Sequence, residues 1–288
     1  MARLHLASAL FVLGVASGAH AQSLDSPRGM AMGGVRADPV ASSAVVYNPA
    51  GMARAYLYAA EVQYFRLGPD DVNVVGVNVV DSKTQPSLAV GAAYGYHFSD
   101  DDAPVDIKGH DARLAFAHPL VQNQVNAGVS LRYVDISRKS GGVDNGVDGF
   151  TLDAGLLISL SGAFHLGAIG QNLVHIDDPA MPRRAGGGIA YTGEPLVLDV
   201  DVLADFDTHE DGTKAVVSAG GELLLADTVP IRAGYEYDGA REQQWVSGGV
   251  GFVTSGEGGQ AGQISISYKQ NLDHSDQFGF GIGLMLFL

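Results

Sequence analysis

The sequence predicts an all-β fold, a transmembrane antiparallel barrel of about fourteen strands. Three observations carry that expectation. From residue 56 onward apolar and polar residues alternate with period two, in stretches of about ten residues, the length of a tilted strand that crosses a bilayer. One parity of these stretches stays apolar while the other gathers charges of both signs. Beyond residue 21 no apolar run is long enough for a spanning helix, and a closed barrel is the other structure that satisfies every backbone group within lipid.

Composition narrows the function. The chain has 288 residues, 39 Gly, no Cys and a formal net charge of −15. Without Cys there is no disulfide framework, no thiolate metal site and no cysteine nucleophile. Seventeen basic residues against 32 acidic ones, unclustered, argue against nucleic acid, whose binding rests on neutralising phosphates. At 46% hydrophobic residues the chain is too apolar for a disordered acidic segment.

Residues 1–21 read as a cleaved signal peptide: Arg3 and His5, an apolar stretch from Leu6 to Val15, and Ala19-His20-Ala21 as a small-x-small site. The apolar stretch is too short to anchor, so the mature chain is expected to begin at Gln22 and to cross at least one membrane.

The strands follow in order, near 56–67, 72–80, 87–98, 108–118, 124–137, 147–160, 163–171, 183–193, 196–207, 212–225, 229–238, 245–254, 260–269 and 276–288. Turn formers separate them, as in Gly68-Pro-Asp-Asp71, Ser99-Asp-Asp-Asp102 and Asp177-Asp-Pro179. The third carries the one-sided row Leu88, Val90, Ala92, Tyr94, Tyr96 and Phe98. In the fifth, Val125, Ala127, Val129, Leu131 and Tyr133 alternate with Asn126, Gly128, Ser130 and Arg132. In the ninth, Leu198, Val200 and Val202 alternate with Asp199 and Asp201; in the thirteenth, Ile264, Ile266 and Tyr268 alternate with Ser265 and Ser267.

The polar parity is expected to face a lumen. It carries Glu61, Arg113, Arg132, Asp153, Arg184, Asp199, Asp201, Lys214, Glu222, Arg232 and Glu236. Charges there need hydration or pairing, which predicts an internal salt-bridge lattice that holds a plug and braces the wall, with a polar conduction path as the alternative. The last strand has an unbroken apolar row, Phe278, Phe280, Ile282, Leu284, Leu286 and Leu288, with Gly279, Gly281 and Gly283 on the opposite parity. This row resembles the C-terminal signal by which barrel-assembly machinery recognises outer-membrane barrels, although those usually end in an aromatic and here Phe287 is penultimate.

No catalytic constellation emerges. Nine scattered His show no zinc spacing. His97-Phe-Ser99 resembles the His-x-Ser pair of outer-membrane lipid deacylases, but the rest of the chain does not match that family. Asp100-Asp-Asp102 reads as a solvated loop tip rather than a calcium site. The expectation is a non-enzymatic protein with no catalytic residues, metal or cofactor.

Arg28-Gly-Met-Ala-Met-Gly-Gly34, then Ala37-Asp-Pro39 and Val46-Tyr-Asn-Pro-Ala-Gly-Met52, resemble the opening of the PorV/PorQ group, which is related to the FadL (OmpP1, long-chain fatty-acid transporter) superfamily. Gly170-Gln-Asn-Leu173 with Pro182-Arg-Arg-Ala-Gly186, and Ile231-Arg-Ala-Gly-Tyr235 with Ser247-Gly-Gly-Val-Gly251, extend the likeness. Met52 stands where the group often has Leu. The resemblance implies fourteen strands, with residues 22–54 as a plug inside a barrel of residues 55–288 in a Gram-negative outer membrane. It marks Arg28, Met32, Gly33, Gly34, Asn48, Pro49, Ala50 and Gly51 as the plug and turn motif. The local chemistry suits it: Gly33-Gly34 admits backbone angles other residues avoid, and Asn48-Pro-Ala-Gly51 is turn chemistry. Implied partners are outer-membrane lipid and either hydrophobic small molecules taken up by diffusion or, as in PorV-like shuttles, a secreted protein.

Overall fold

The computed structural model describes residues 24–256 and 259–288. The signal peptide expected at residues 1–21 and the mature start at Gln22 lie outside the described residues. The barrel strands are β1 (Tyr58–Leu67), β2 (Val72–Asp81), β3 (Ala89–Ser99), β4 (Asp106–Val121), β5 (Val125–Ser140), β7 (Val147–Ser161), β8 (Phe164–Gln171), β9 (Arg184–Gly193), β10 (Leu196–Asp205), β11 (Lys214–Leu225), β12 (Val229–Asp238), β13 (Gln243–Gly256), β14 (Gly259–Asn271) and β15 (Phe278–Phe287); β6 (Val143–Asp144) is a two-residue extension folded back on the end of β5. Each barrel strand pairs antiparallel with its chain neighbours, and β1 pairs with β15 from Ala59↔Phe287 to Leu67↔Gly279, which closes the ring at fourteen strands. Closure leaves no sheet edge to satisfy.

The two ends of the barrel differ. Connections 68–71, 100–105, 172–183, 206–213 and 272–277 lie at one end, called the loop end here; 82–88, 122–124, 162–163, 194–195 and 226–228 lie at the other, the turn end. Chain entry into β1 and the C-terminus both sit at the turn end.

Alternation decides what each face meets. Outward positions expose Val62, Leu114, Leu131, Ile266 and Leu284 by 43–57%. Outward aromatics gather toward the loop end at Tyr96, Phe98, Tyr133, Phe150, Tyr237 and Tyr268, and toward the turn end at Phe116, Phe164 and Phe252. The inward parity is polar or Gly at many positions and apolar at others, among them Phe65, Val74, Val80, Ala93 and Ala117, and it is buried because the N-terminal segment fills the bore. Among the described residues no helix is long and apolar enough to cross a membrane, which says nothing of crossing by strands.

Residues 24–57 form the plug, built from short helical pieces: α1 (Pro27–Ala31), a 3-10 turn at Ala41–Ser43, α2 (Ala44–Tyr47) and a second 3-10 stretch at Pro49–Arg54. Ser26 starts α1 by accepting the Gly29 N–H at 3.0 Å, with Pro27 at the first helical position, where a missing N–H costs nothing. Gly33 and Gly34 end it at φ +72° and +128°, values that L side chains rarely adopt.

Candidate functional site

The candidate site is the plug with the bore around it. The wall makes room through glycines. A Cβ at Gly249 would lie 2.7 Å from the Ala31 Cβ, and one at Gly283 would lie 2.8 Å from the Pro27 ring; Gly220 and Gly234 receive Met32, and Gly128 receives Pro49 and Ala50. Wall hydroxyls then reach plug backbone: Ser247 Oγ donates to Ala31 O at 3.0 Å.

Asn48, in the Asn-Pro-Ala-Gly stretch, works in two directions. Its Oδ1 accepts the Ala50 N–H at 3.2 Å and caps the following turn. Its Nδ2 donates to Arg36 O at 3.0 Å and faces the carbonyls of Leu156 and Ala168, a cross-strand pair of β7 and β8. Pro49, Ala50 and Gly51 are buried, and Gly51 lies against Pro39.

Ion pairs fasten plug to wall, with Asp38 at the centre. It is 1% exposed and accepts from Arg28 Nη2 at 2.8 Å, from Arg54 Nη1, and from Thr192 Oγ1 at 3.1 Å. Arg28 reaches on to Glu222 at 3.3 Å, and Glu222 holds Arg232 at 2.6 Å. Arg54 reaches His165 at 2.9 Å. Asp199 and Asp201, side by side on the inner face of β10, accept the backbone N–H groups of Asp38 at 2.7 Å and Arg36 at 2.9 Å. Burial alone would raise the Asp38 carboxyl, but Arg28 and Arg54 outweigh it and hold it below the usual carboxylate range.

The sequence-derived charges therefore face the bore, some pairing along the wall and some holding the plug. Arg132 makes a two-pronged pair with Asp111 at 2.7 and 3.1 Å, Arg113 pairs with Asp153 at 3.1 Å, and Arg184 pairs with Asp205 at 2.8 Å. Asp199 and Asp201 serve the plug backbone. Glu236 lines a cavity at the loop end, and Lys214 begins β11 there. Glu61 accepts from Ser42 and has no ion pair within 4 Å among the described residues. Arg36, Asp38 and Arg54 were missed as site residues. Asp38 stands in the Ala37-Asp-Pro39 motif, yet its partners lie 10 and 16 residues away with no period to connect them. The row Phe280, Ile282, Leu284, Leu286 and Leu288 points outward, Phe278 is half-buried, and Gly279, Gly281 and Gly283 point inward. His97 is a buried wall residue, and Asp100 is held by Arg66 at 3.0 Å and Asn73 at 2.9 Å.

The plug divides two cavities. The one on its loop-end side has a volume of ≈ 200 Å³; an apolar arc of Leu24, Met30, Phe65, Leu67, Val74 and Trp245 stands beside charged groups that include Arg36, Arg132, Asp153, Arg184 and Glu236, with Lys269 Nζ 5.2 Å from the Trp245 ring centroid. The one at the turn end, ≈ 340 Å³, is polar and lined by Arg54, Asn126, Ser159 and His165.

Beside the first cavity the wall changes character. The β7–β8 ladder stops at Ala154↔Gly170, so residues 147–153 of β7 face the segment 172–183 in place of a strand. That segment is attached by Leu173 N to Leu152 O at 2.8 Å, Thr151 Oγ1 to Val174 O at 2.7 Å and Asn172 N to Asp153 at 2.8 Å. Its inner side, through Asn172, Ala180 and Pro182, lines the cavity; on its outer side Leu173 and Val174 are exposed.

No protein-family model and no curated protein matches the sequence. Solved structures do match. A CymD monoaromatic hydrocarbon channel is 14% identical, with 92% of this chain and 97% of that one covered and a TM-score of 0.67. The Ralstonia pickettii toluene transporter TbuX is 12% identical over 91% and 97%, with a TM-score of 0.65. A Pseudomonas aeruginosa FadL homologue is 10% identical over 91% and 97%, with a TM-score of 0.59. At these identities the likeness is one of fold: the chain has the barrel architecture of FadL-type hydrocarbon channels.

Proposed function

We propose that the protein is an outer-membrane barrel of a Gram-negative bacterium that lets hydrophobic small molecules through passively and catalyses nothing. One observation carries the reading. A cavity with an apolar arc on one side sits above a fastened plug, next to a stretch of wall closed by a loop segment in place of a strand. A hydrophobic molecule entering from the loop end can rest against Phe65, Leu67 and Trp245 and pass sideways, past residues 172–183, without crossing the ion-paired waist of the plug. The outward apolar faces with aromatics at both rims support lipid as the surroundings. The outward row of the last strand supports handling by barrel-assembly machinery. The FadL-type fold, shared with channels named for hydrocarbons, supports the substrate class. Within that fold we assign the chain to the PorV/PorQ group, because the residues of that resemblance, Arg28 to Gly34 and Asn48 to Gly51, are the ones that shape and seat the plug.

The test is uptake of labelled toluene into proteoliposomes, beside vesicles with the barrel lacking residues 24–54. Faster entry than into empty vesicles, with heat-modifiable migration on gels, is expected. A protein that is monodisperse without detergent overturns the membrane reading. No uptake together with a co-purifying exported protein moves the assignment to the PorV-like shuttle.

A further inference from the structure

One carboxyl in the bore stands apart from the ion-paired network. Glu61, on the inner face of β1, is 3% exposed, and its one hydrogen bond at ordinary distance comes from the Ser42 hydroxyl of the plug, 2.7 Å away. The cation whose field reaches it, Arg232, is engaged by Glu222 at 2.6 Å and Ser265 at 3.1 Å. Around Glu61 stand two amides that are just as unusual. Asn78 lies directly opposite it on β2, and Gln63 is the next inward residue along β1. They are 0% and 2% exposed, and no amide atom of either has a well-formed hydrogen bond, the Asn78 amide making only a loose contact with the Glu61 carboxyl. Buried polar groups are almost always satisfied, so two amides without a well-formed hydrogen bond beside a carboxyl with no ion pair point to something that binds there.

The chemistry of the cluster says what. The carboxylate, the two amide oxygens and the remaining lone pair of the Ser42 hydroxyl form an all-oxygen donor set, which suits a hard cation rather than a zinc-type ion. The set carries a single negative charge. A divalent ion would leave net positive charge in a buried site, whereas a monovalent ion balances it. Glycine at the neighbouring inward positions makes room for the cluster itself: a Cβ at Gly76 would meet the Gln63 amide at 3.0 Å, and one at Gly283 the Glu61 carboxyl at 3.1 Å. We propose that Glu61, Gln63, Asn78 and Ser42 form a sodium-ion site at the seam between plug and wall. The bound ion ties the 3-10 turn at Ala41–Ser43 to β1 and β2, so that the plug is held by an ion on this side as it is held by Arg28 and Arg54 on the other.

The test uses the full chain in detergent and does not depend on transport. Hydrogen exchange of residues 40–47 is followed in sodium chloride and in choline chloride at equal ionic strength. With sodium at about ten times its dissociation constant, exchange through opening of this seam slows by roughly tenfold. Glu61→Gln removes the sodium response, and Ser42→Ala, which leaves the strands untouched, weakens it; heat-modifiable migration shows that both variants keep the barrel. Equal exchange in the two salts, a Glu61→Gln variant that still responds to sodium, or a response to calcium alone overturns the proposal. Loss of hydrocarbon uptake with the sodium response intact would overturn the transport reading instead.

Discussion

Asp38→Asn removes one charge and almost no volume, so it isolates the electrostatic grip on the plug. In the native protein the carboxylate balances Arg28 and Arg54 and accepts from Thr192. The Asn side chain keeps one acceptor and leaves Arg54 facing His165 and Thr192 with no carboxylate of its own; Arg28 keeps Glu222. Breaking a buried pair from one side costs about 3–5 kcal/mol. The surviving Glu222 contact puts this variant at the lower end, about 3 kcal/mol, or on the order of a hundredfold in plug docking. Hydrogen exchange of residues 24–54 reads that shift directly, and planar-bilayer conductance reads the leak that follows. The pH dependence supplies an internal control. Burial opposes ionisation of Asp38, Arg28 and Arg54 favour it, and the net folded value lies below the ordinary carboxylate value. A depressed carboxyl contributes stability that is complete above its undocked pKa, about 4, and is lost as pH falls through the docked value. With exchange divided by the intrinsic amide rate at each pH, Asp38's contribution to plug protection should therefore be constant above about pH 5 and fall away on acidification below about pH 4, and Asp38→Asn should lack that contribution. Plug exchange in the variant equal to native at neutral pH would refute the fastening argument.

Other expectations follow from the same geometry. Gly249→Leu places a side chain where the Ala31 methyl and the Ile266 carbonyl already stand; overpacking of about 1–3 kcal/mol should loosen the plug and raise conductance while the barrel persists. Trp245 is the single Trp of the chain, is 8% exposed and lines the loop-end cavity, so toluene should quench or shift its fluorescence saturably; an unresponsive spectrum would exclude this cavity as the resting site. Ile282→Arg, at mid-strand on the outward row of β15, should cost about 2–4 kcal/mol of folding into vesicles, whereas a soluble barrel would tolerate it. Cross-linking cysteines placed at Leu152 and Leu173, whose backbones are bonded at 2.8 Å, should slow hydrocarbon uptake and restore it on reduction.

All fourteen barrel strands were legible because each exposes one parity to an apolar exterior, and period two survives even where individual residues vary. What escaped has local causes. β6 is two residues long, too short for any period. β4 runs on through Pro119 to Val121, because the ladder is irregular between those two residues and a proline can sit at such a break. The helical pieces of the plug are three to six residues long, below a useful helical period, and only the turn chemistry at Asn48 left a trace. The charges on the inward parity were legible as a set. Their partners were not, since Arg28–Glu222 and Arg36–Asp201 join residues far apart in the chain and depend on the rotation of the plug within the bore.

That rotation explains how a charge-lined bore coexists with a hydrophobic substrate. The plug already shares an apolar cluster with part of the wall, where Val45, Val46 and Met52 gather with Phe65, Val80, Ala93 and Ala117, and the ion pairs sharpen that angular setting. Buried ion pairs contribute little net stability over well-packed apolar contacts, but a mismatched setting that strands a charge is heavily penalised. Arg28 against Glu222, Arg36 against Asp201 and Arg54 against His165 meet the wall on β11, β10 and β8 and are satisfied together in this setting. The apolar arc of Leu24, Phe65, Leu67, Val74 and Trp245 lines one side of the cavity above, and Arg36, Arg132, Asp153, Arg184 and Glu236 also line it, several of them already engaged in ion pairs. The polar turn-end cavity offers a hydrophobic molecule nothing. On this reasoning the lattice is a fastening, and passage runs beside it, toward the stretch of wall at residues 172–183.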